Sequence, residues 1–191
     1  MARPREFDEQ AVLKAVMDVF WRKGYEGASY TDLVAASGLH KGSLYAAFGD
    51  KRALYLCALE AYIDCEVGAA EALLSGQSED KEKTGRERIE ALLNSVIAAV
   101  AVSNDRRGCF LCNAAVDQAP HDKGIEELVA KGFLRMQKAF EKALSDKNQT
   151  SALKATASLV NATYFGMRVM AKSGAPLSLM KQARNGVVTT L

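Results

Sequence analysis

Residues 24–51 read GYEGASYTDLVAASGLHKGSLYAAFGDK, and this stretch decides the fold. Ser29 with Asp32 three residues on is a capping-box pattern: the hydroxyl accepts a backbone N–H while the carboxylate reaches back to the cap. The pattern predicts a short helix from Ser29 to Ser37, and Gly38 stands where a left-handed residue closes a helix. After Gly38-Leu39-His40 a second helix is predicted from Lys41, with Leu44 and Phe48 on one face. Leu33, Val34 and Leu39 supply the apolar surface opposite. Two short helices locked at a steep angle by such a turn make a helix-turn-helix, whose second helix enters the major groove of DNA.

Working outward, Val12, Val16, Val19 and Phe20 recur at helical spacing, so Asp8 to about Lys23 is predicted as an amphipathic first helix capped by Asp8. It completes a three-helix head ending near residue 49. Asp50 caps a long fourth helix through Leu54, Ala58 and Ala61 to about Leu74. Residues 75–85, SGQSEDKEKTG, are polar and read as a loop. Ile89, Leu92, Leu93, Val96, Ile97 and Val100 mark a helix over 86–103. SNDRRG (103–108) breaks it, and a shorter helix starts near Cys109 and ends at Ala119-Pro120. A helix from about Lys123 to Leu144 follows, then a turn at SDKNQ, a helix over 150–172 and a last one after Pro176. The reading gives about nine helices, few period-two segments and an all-α fold.

The chain has 191 residues, nearly half of them apolar, and a formal net charge of +2. That is enough for a proper core, in one large domain or two small ones. No run of about 18 apolar residues is present, so no membrane span is expected. Met-Ala-Arg-Pro-Arg-Glu lacks the apolar core of a secretory signal, and the four cysteines are therefore expected as reduced thiols in a cytoplasmic protein. Charge lends DNA binding little help: residues 1–60 hold eight Lys or Arg and eight Asp or Glu. Binding would depend on the placement of a few cations.

The residues Gly24-Tyr25, Ser29, Asp32-Leu33, Ser37-Gly38-Leu39, Lys41-Gly42-Ser43-Leu44-Tyr45, Phe48 and Lys51 resemble the DNA-binding head of the TetR family of transcriptional repressors. The motif covers about a quarter of the chain. The resemblance implies a dimeric, all-helical, ligand-responsive repressor: a helix-turn-helix DNA-binding domain over 1–49, and a helical effector-binding and dimerisation domain over 50–191. It also implies phosphate contacts from Tyr45 and Lys51. The sequence departs from the pattern at His40, where the family often has Ser or Thr as the cap of the recognition helix. It departs again at Ala46 and Ala47, where aromatic or His residues are common.

Read from the residues, Ser29 presents a hydroxyl at a helix N-terminus, a natural phosphate clamp. Lys41, Gly42 and Ser43 open the recognition helix nearest the base edges, with His40 beside them. The blander reading makes Ser29 and Asp50 only caps and packs Tyr45 against the first helix. Arg3, Pro4 and Arg5 form a basic arm of the kind that enters a minor groove, or else a solvated terminus.

A second constellation is Cys109-Phe110-Leu111-Cys112 after Asp105-Arg106-Arg107-Gly108. Positions i and i+3 of a helix share a face. A first-turn N–H environment and adjacent arginines favour a thiolate at Cys109, which makes a redox- or electrophile-sensing switch. The alternative is two small hydrophobes in a core, as expected for Cys57 and Cys65. Cys109, Cys112 and His121 fall short of a structural zinc set, and no metal or cofactor is expected. Polar residues that interrupt the apolar faces of the body, Asn94, Asn113, Asp117, Tyr164 and Arg168, are candidates for lining an effector pocket. The last two helices, with Leu159, Phe165, Leu177 and Met180 on their outer face, are expected to pair two copies. No phosphate loop or nucleophile elbow is present, and an enzyme is not expected.

The expected partners are a palindromic double-stranded DNA operator, a second copy of the chain, and a small-molecule or electrophile effector. Two other readings stay open: a thiol-redox protein working through Cys109 and Cys112, and a helical ligand-binding protein that does not read DNA.

Overall fold

The computed structural model describes residues 7–76, 82–145 and 151–191, and these are helical with no strands. The basic arm at residues 3–5 and most of the SDKNQ turn lie outside the described residues. Helix α1 spans Glu9–Gly27, α2 Tyr30–Ser37 and α3 Lys41–Phe48. Lys51–Tyr62, a π-helical turn at Ile63–Val67 and Gly68–Ser75 run on without a break and form one long helix, α4. The rest are α5 (Gly85–Ser103), α6 (Phe110–Asp117), α7 (Lys123–Leu144), α8 (Ser151–Lys172) and α9 (Leu177–Val188).

Local chemistry accounts for the head. Asp8 Oδ1 accepts from the N–H of Gln10 and Ala11 and starts α1. Ser29 and Asp32 form the expected capping box, and Gly38 closes α2 at φ 67°. Asp50 caps α4 through the N–H of Ala53 at 2.8 Å. Val16, Phe20, Leu33, Leu44 and Leu54 are fully buried where α1, α2, α3 and α4 meet.

Two features depart from the sequence expectation. Helix α1 runs four residues past Lys23, but it is broken inside at Gly24, whose φ of 73° only glycine adopts without strain. The break turns the Tyr25 N–H outward to Asp117 of α6. The long helix α4 carries its π turn just where Tyr62 and Ile63 must both be buried against the body. Such turns reset the facing of a helix by inserting a residue.

In the body, α5 buries Ile89, Leu93, Val96 and Val100 and packs on α4, α7, α8 and α9. Helix α7 packs along α8 and on the second half of α4, where Arg135 is paired with Glu71 at 2.7 Å and Asp64 at 2.9 Å. Phe165 and Met180, expected on the outer face, are instead buried inside the chain: Phe165 stacks edge-on to Phe133 at 4.6 Å. Leu177 is half-buried, and Leu159 is exposed as expected, together with Val169 on α8 and Leu179 on α9. Asn94 faces solvent and lines no interior.

The start of α5 abuts the end of α7 so closely that a Cβ on Gly85 would sit 1.6 Å from the carbonyl oxygen of Ala143. Backbone cannot yield there as a side chain would. Gly85→Ala is expected to lower stability by about 1–3 kcal/mol despite its better helix propensity, measured by urea unfolding; an unchanged midpoint would refute the close contact.

Candidate functional site

The outer face of the head collects the residues singled out from the motif. His40 occupies the cap position of α3 but makes no side-chain cap bond. The N–H groups at the start of α3 are therefore left to meet an external acceptor, with the positive end of the helix dipole behind them. Lys41, Gly42 and Ser43 are exposed there, and a Cβ on Gly42 would meet nothing within 4 Å.

The two lysines are held by rings. Lys41 Nζ lies 4.7 Å from the centre of the Tyr30 ring, and Lys51 Nζ lies 4.6 Å from that of Tyr25. Each cation–π contact orients a long, otherwise mobile side chain on the exposed face. Tyr30, 48 % exposed, is the residue the sequence reading missed; an aromatic directly after a helix cap and eleven residues before a lysine gives no local signal. Tyr45 packs its ring against Tyr30 at 5.4 Å, with its hydroxyl covered and without a hydrogen-bond partner among the described residues. Burial and the nearby phenol of Tyr30 push its pKa up. The Ser29 hydroxyl is already engaged on both sides, donating to Asp32 Oδ2 at 2.8 Å and accepting from the Asp32 N–H at 3.1 Å. Hydrogen bonds from Lys23 and Ser29 hold the Asp32 carboxyl down at about 2.

The second group of residues lies where the head meets the body. Cys109 caps α6 and is 3 % exposed; Cys112 is 9 % exposed. Tyr62 Oη donates to Cys109 Sγ at 3.3 Å, and Arg168 Nη2 donates to Tyr62 Oη at 3.0 Å. Burial alone would raise the Cys109 pKa, but the Cys112 thiol, the Arg168 charge and the Tyr62 hydroxyl together bring it below the ordinary thiol value. Cys112 moves the other way because it donates to Cys109 and is itself buried. One proton is thus held on Cys112 and Cys109 is the acidic sulfur.

The sequence put the flanking arginines in that role, and the structure assigns it to Arg168. Arg106 is engaged with the Ala171 carbonyl and Asn104. Arg107 reaches to the head, with Nη1 2.8 Å from Asp18 Oδ1 of α1, Nη2 2.7 Å from Asp105 Oδ2, and its guanidinium 4.0 Å above the Trp21 ring. Tyr62 in turn meets Trp21 edge-to-face at 4.9 Å. An unbroken set of contacts therefore runs from the Cys109 sulfur through Tyr62 to α1.

Asn113 and Asp117 sit in the same junction. Asn113 Nδ2 donates to the Trp21 and Arg107 carbonyls at 3.4 Å, and Asp117 Oδ2 accepts from the Tyr25 N–H at 3.1 Å. Both fasten α6 to the backbone of α1. Tyr164 is buried against Phe140 and Phe165, with Arg168 5.9 Å from its ring centre. Cys57 is half-buried, whereas Cys65, expected as a small hydrophobe in the core, is exposed. Among the described residues no cluster of His, Cys, Asp or Glu is placed to hold a metal ion.

Arg107 holds the Asp105 carboxyl at about 2 through its hydrogen bonds. A carboxylate depressed in the folded state stabilises fully above its ordinary value near 3.8 and loses that contribution as pH falls through about 2. Arg107→Gln is expected to cost about 1–2 kcal/mol at neutral pH. Urea titrations should show that deficit shrinking between pH 4 and pH 2; a constant deficit would mean the pair contributes nothing electrostatically.

Comparison with known proteins supplies the remaining findings. Residues 12–57 match the family model described as bacterial regulatory proteins, tetR family. Residues 86–184 match that of the LmrA/YxaF-like transcriptional regulator C-terminal domain. The chain is similar to the HTH-type transcriptional repressor ComR of Escherichia coli K12, 30 % identical over 190 residues that span 94 % of this chain and 87 % of that one. It is similar also to the HTH-type transcriptional regulator YezE of Bacillus subtilis 168, 32 % identical over 143 residues, 75 % of this chain and 69 % of that one. Its fold superposes with a TM-score of 0.81 on the TetR family transcriptional regulator CifR, in a cysteine mutant complexed with 26-bp double-strand operator DNA. That match is 27 % identical and covers 98 % of both chains.

Proposed function

The chain belongs to the TetR family of bacterial regulatory proteins, a family of transcriptional regulators and not of enzymes, and on that premise we propose that it is a homodimeric repressor of a palindromic operator. Its N-terminal helix-turn-helix head and C-terminal helical body are those of the family. The observation that carries the reading is the exposed, uncapped start of α3, where Lys41 is seated on the Tyr30 ring, with Lys51 at the start of α4 seated on that of Tyr25. The repressor ComR and the operator complex of CifR support it. Lys41, Gly42, Ser43 and His40 would meet base edges or adjoining phosphates, while Ser29, Tyr45 and Lys51 would hold the backbone. Ser29 would act through the helix terminus it caps, since its hydroxyl is engaged, and Tyr45 by turning its covered hydroxyl outward or by supporting Tyr30. Such a protein works in the cytoplasm, beside the DNA.

Residues 50–191 would bind the effector and the second copy. Ala155, Leu159, Ala162, Gly166 and Val169 fall on one stripe of α8, and Leu179 with Gly186 extends it on α9. The stripe is small and apolar and is left open by the described residues, as the surface between two copies should be. A two-fold there would present the recognition helices to successive major grooves about 34–36 Å apart.

Release would come from the body, by a small molecule or by modification of Cys109. With a hydroperoxide as oxidant, the Cys109 thiolate attacks one peroxide oxygen, forming the sulfenic acid and expelling the other oxygen as alkoxide or hydroxide. The Cys112 thiol then attacks the sulfenic sulfur, closing a disulfide with loss of water. The acceptor held by Tyr62 is lost, and Tyr62 lies against Trp21 of α1. Both sulfurs are too buried for exchange with a protein disulfide, which leaves small reagents.

Selection of bound fragments from sheared genomic DNA should enrich one palindromic site; no enrichment by reduced, folded protein would reject the repressor reading. On that site Gly42→Ala should bind at least tenfold more weakly while melting no lower, because the added methyl group strengthens the helix by about 1 kcal/mol and blocks only an outside partner. Equal affinity would show that α3 does not approach DNA at its start. Peroxide should release the wild type, and Cys109→Ser should stay bound; release of the variant would rule out the thiol switch.

A further inference from the structure

The segment between α6 and α7 carries a carboxylate at each end, and the two grip different helices. Asp117, the last residue of α6, accepts the Tyr25 N–H of α1 at 3.1 Å. Asp122, the N-cap of α7, takes the Arg52 guanidinium of the first turn of α4 on both its oxygens: Nε donates to Oδ2, and Nη2 to Oδ1 at 2.8 Å. The same Oδ1 accepts the N–H groups of Gly124 at 2.9 Å and Ile125 at 3.3 Å. The segment is itself tight. The N–H groups of His121 and Asp122 reach the Gln118 carbonyl at 2.9 and 3.0 Å, and Pro120 fixes its own φ within the turn. The two carboxylates are thus held at a set separation.

Each grip is seated at a glycine. A Cβ on Gly24 would lie 3.3 Å from Asp117 Oδ2, and one on Gly124 would lie 3.2 Å from Arg52 Nη2. Both are tighter than ordinary van der Waals contact, so a side chain at either position would push the partner away. What the two grips share is Lys51. Its ammonium sits over the ring of Tyr25, whose backbone Asp117 holds. Its backbone directly precedes Arg52, whose side chain Asp122 holds. Ring and lysine are therefore fixed from one short segment. Arg52 is committed to Asp122, which leaves Lys51 as the cation that the start of α4 can turn to a phosphate.

We propose that Asp117 and Asp122 are positioning residues for DNA binding: neither meets DNA, and together they place Lys51 for its phosphate, Asp122 through Arg52 and Asp117 through Tyr25. The effect on DNA rests on the repressor reading; the placement of Lys51 does not. The sign of the effect separates placement from charge. A carboxylate near DNA repels the phosphates, so removing one tightens binding by itself. Loss of placement weakens it.

The main variant is Asp122→Asn, which keeps a capping side chain on α7 and gives up the charge that holds Arg52. In the full chain without DNA, the side-chain proton signals of Lys51, assigned by their loss in Lys51→Arg, should be shifted upfield by the Tyr25 ring. They should return to the ordinary lysine position in Asp122→Asn and in Asp117→Ala. On the selected operator, folded Asp122→Asn should bind about five- to tenfold more weakly than the wild type, the low end of what coupled sites show. In a Lys51→Ala background the same substitution should no longer weaken binding. If Asp122→Asn does not fold, Gly124→Ala takes its place in both measurements, since it crowds the Arg52 guanidinium and keeps both carboxylates. The proposal is overturned by an unmoved Lys51 signal, by equal or tighter operator binding, or by the same loss with Lys51 already removed. The lysine signal is read without DNA, so it decides the placement even where no operator is found.

Discussion

Arg168 brings a positive charge into the interior of the body, and the surroundings have to answer it. Removing a guanidinium from water costs several kcal/mol unless acceptors replace the hydration shell. The chain supplies a phenol oxygen from α4, the face of Tyr164 and, beyond Tyr62, a sulfur at the start of α6. Among the described residues no carboxylate is paired with it. The Arg168 charge adds to the hydrogen bonds from Cys112 and Tyr62 that, against burial, make the Cys109 sulfur the acidic one of its pair.

Several irregular features are arranged around the same point. The π turn in α4 begins immediately after Tyr62, and α6 begins at Cys109 without a capping side chain. Gly24 breaks α1 three residues after Trp21, so that the backbone of α1 offers a carbonyl to Asn113 and an N–H to Asp117. Regular helices would place none of these groups together. The lost helical hydrogen bonds are offset by a junction made of directional polar contacts in place of interchangeable apolar ones. Apolar packing tolerates small slips, but hydrogen bonds and stacked cations hold one geometry, so a shift of α6 would have to be met by α1.

What could be read from the sequence was what depends on neighbours along the chain. The Ser29–Asp32 box, Gly38, Asp8 and Asp50 are caps whose partners lie within four residues, and each was found in place. The apolar spacing of α5 and α7 likewise gave their buried faces. The junction was not legible, because its pairs are about 90 to 106 residues apart: Tyr25 with Asp117, Asp18 with Arg107, Tyr62 with Arg168. Sequence proximity pointed to Arg106 and Arg107 as the partners of Cys109, and both turned out to be committed elsewhere. Periodicity alone could not tell which face of α8 is turned outward. Phe165 is inside, and the smaller Leu159 and Val169 are outside.

The even charge of the head bears on how such a regulator would be released. With no general positive field, non-specific attraction is weak, and affinity depends on a few groups meeting their targets at once. In a dimer that requirement extends to the spacing between two α3 helices. A modest shift of each head against its body, worth the roughly 1–3 kcal/mol typical of coupled sites, would then be enough to empty the operator. A strongly basic head would go on holding DNA through such a shift. In that reading the near-neutral head and the polar junction would be two halves of one arrangement: the first would make DNA binding depend on geometry, and the second would tie that geometry to the state of the body.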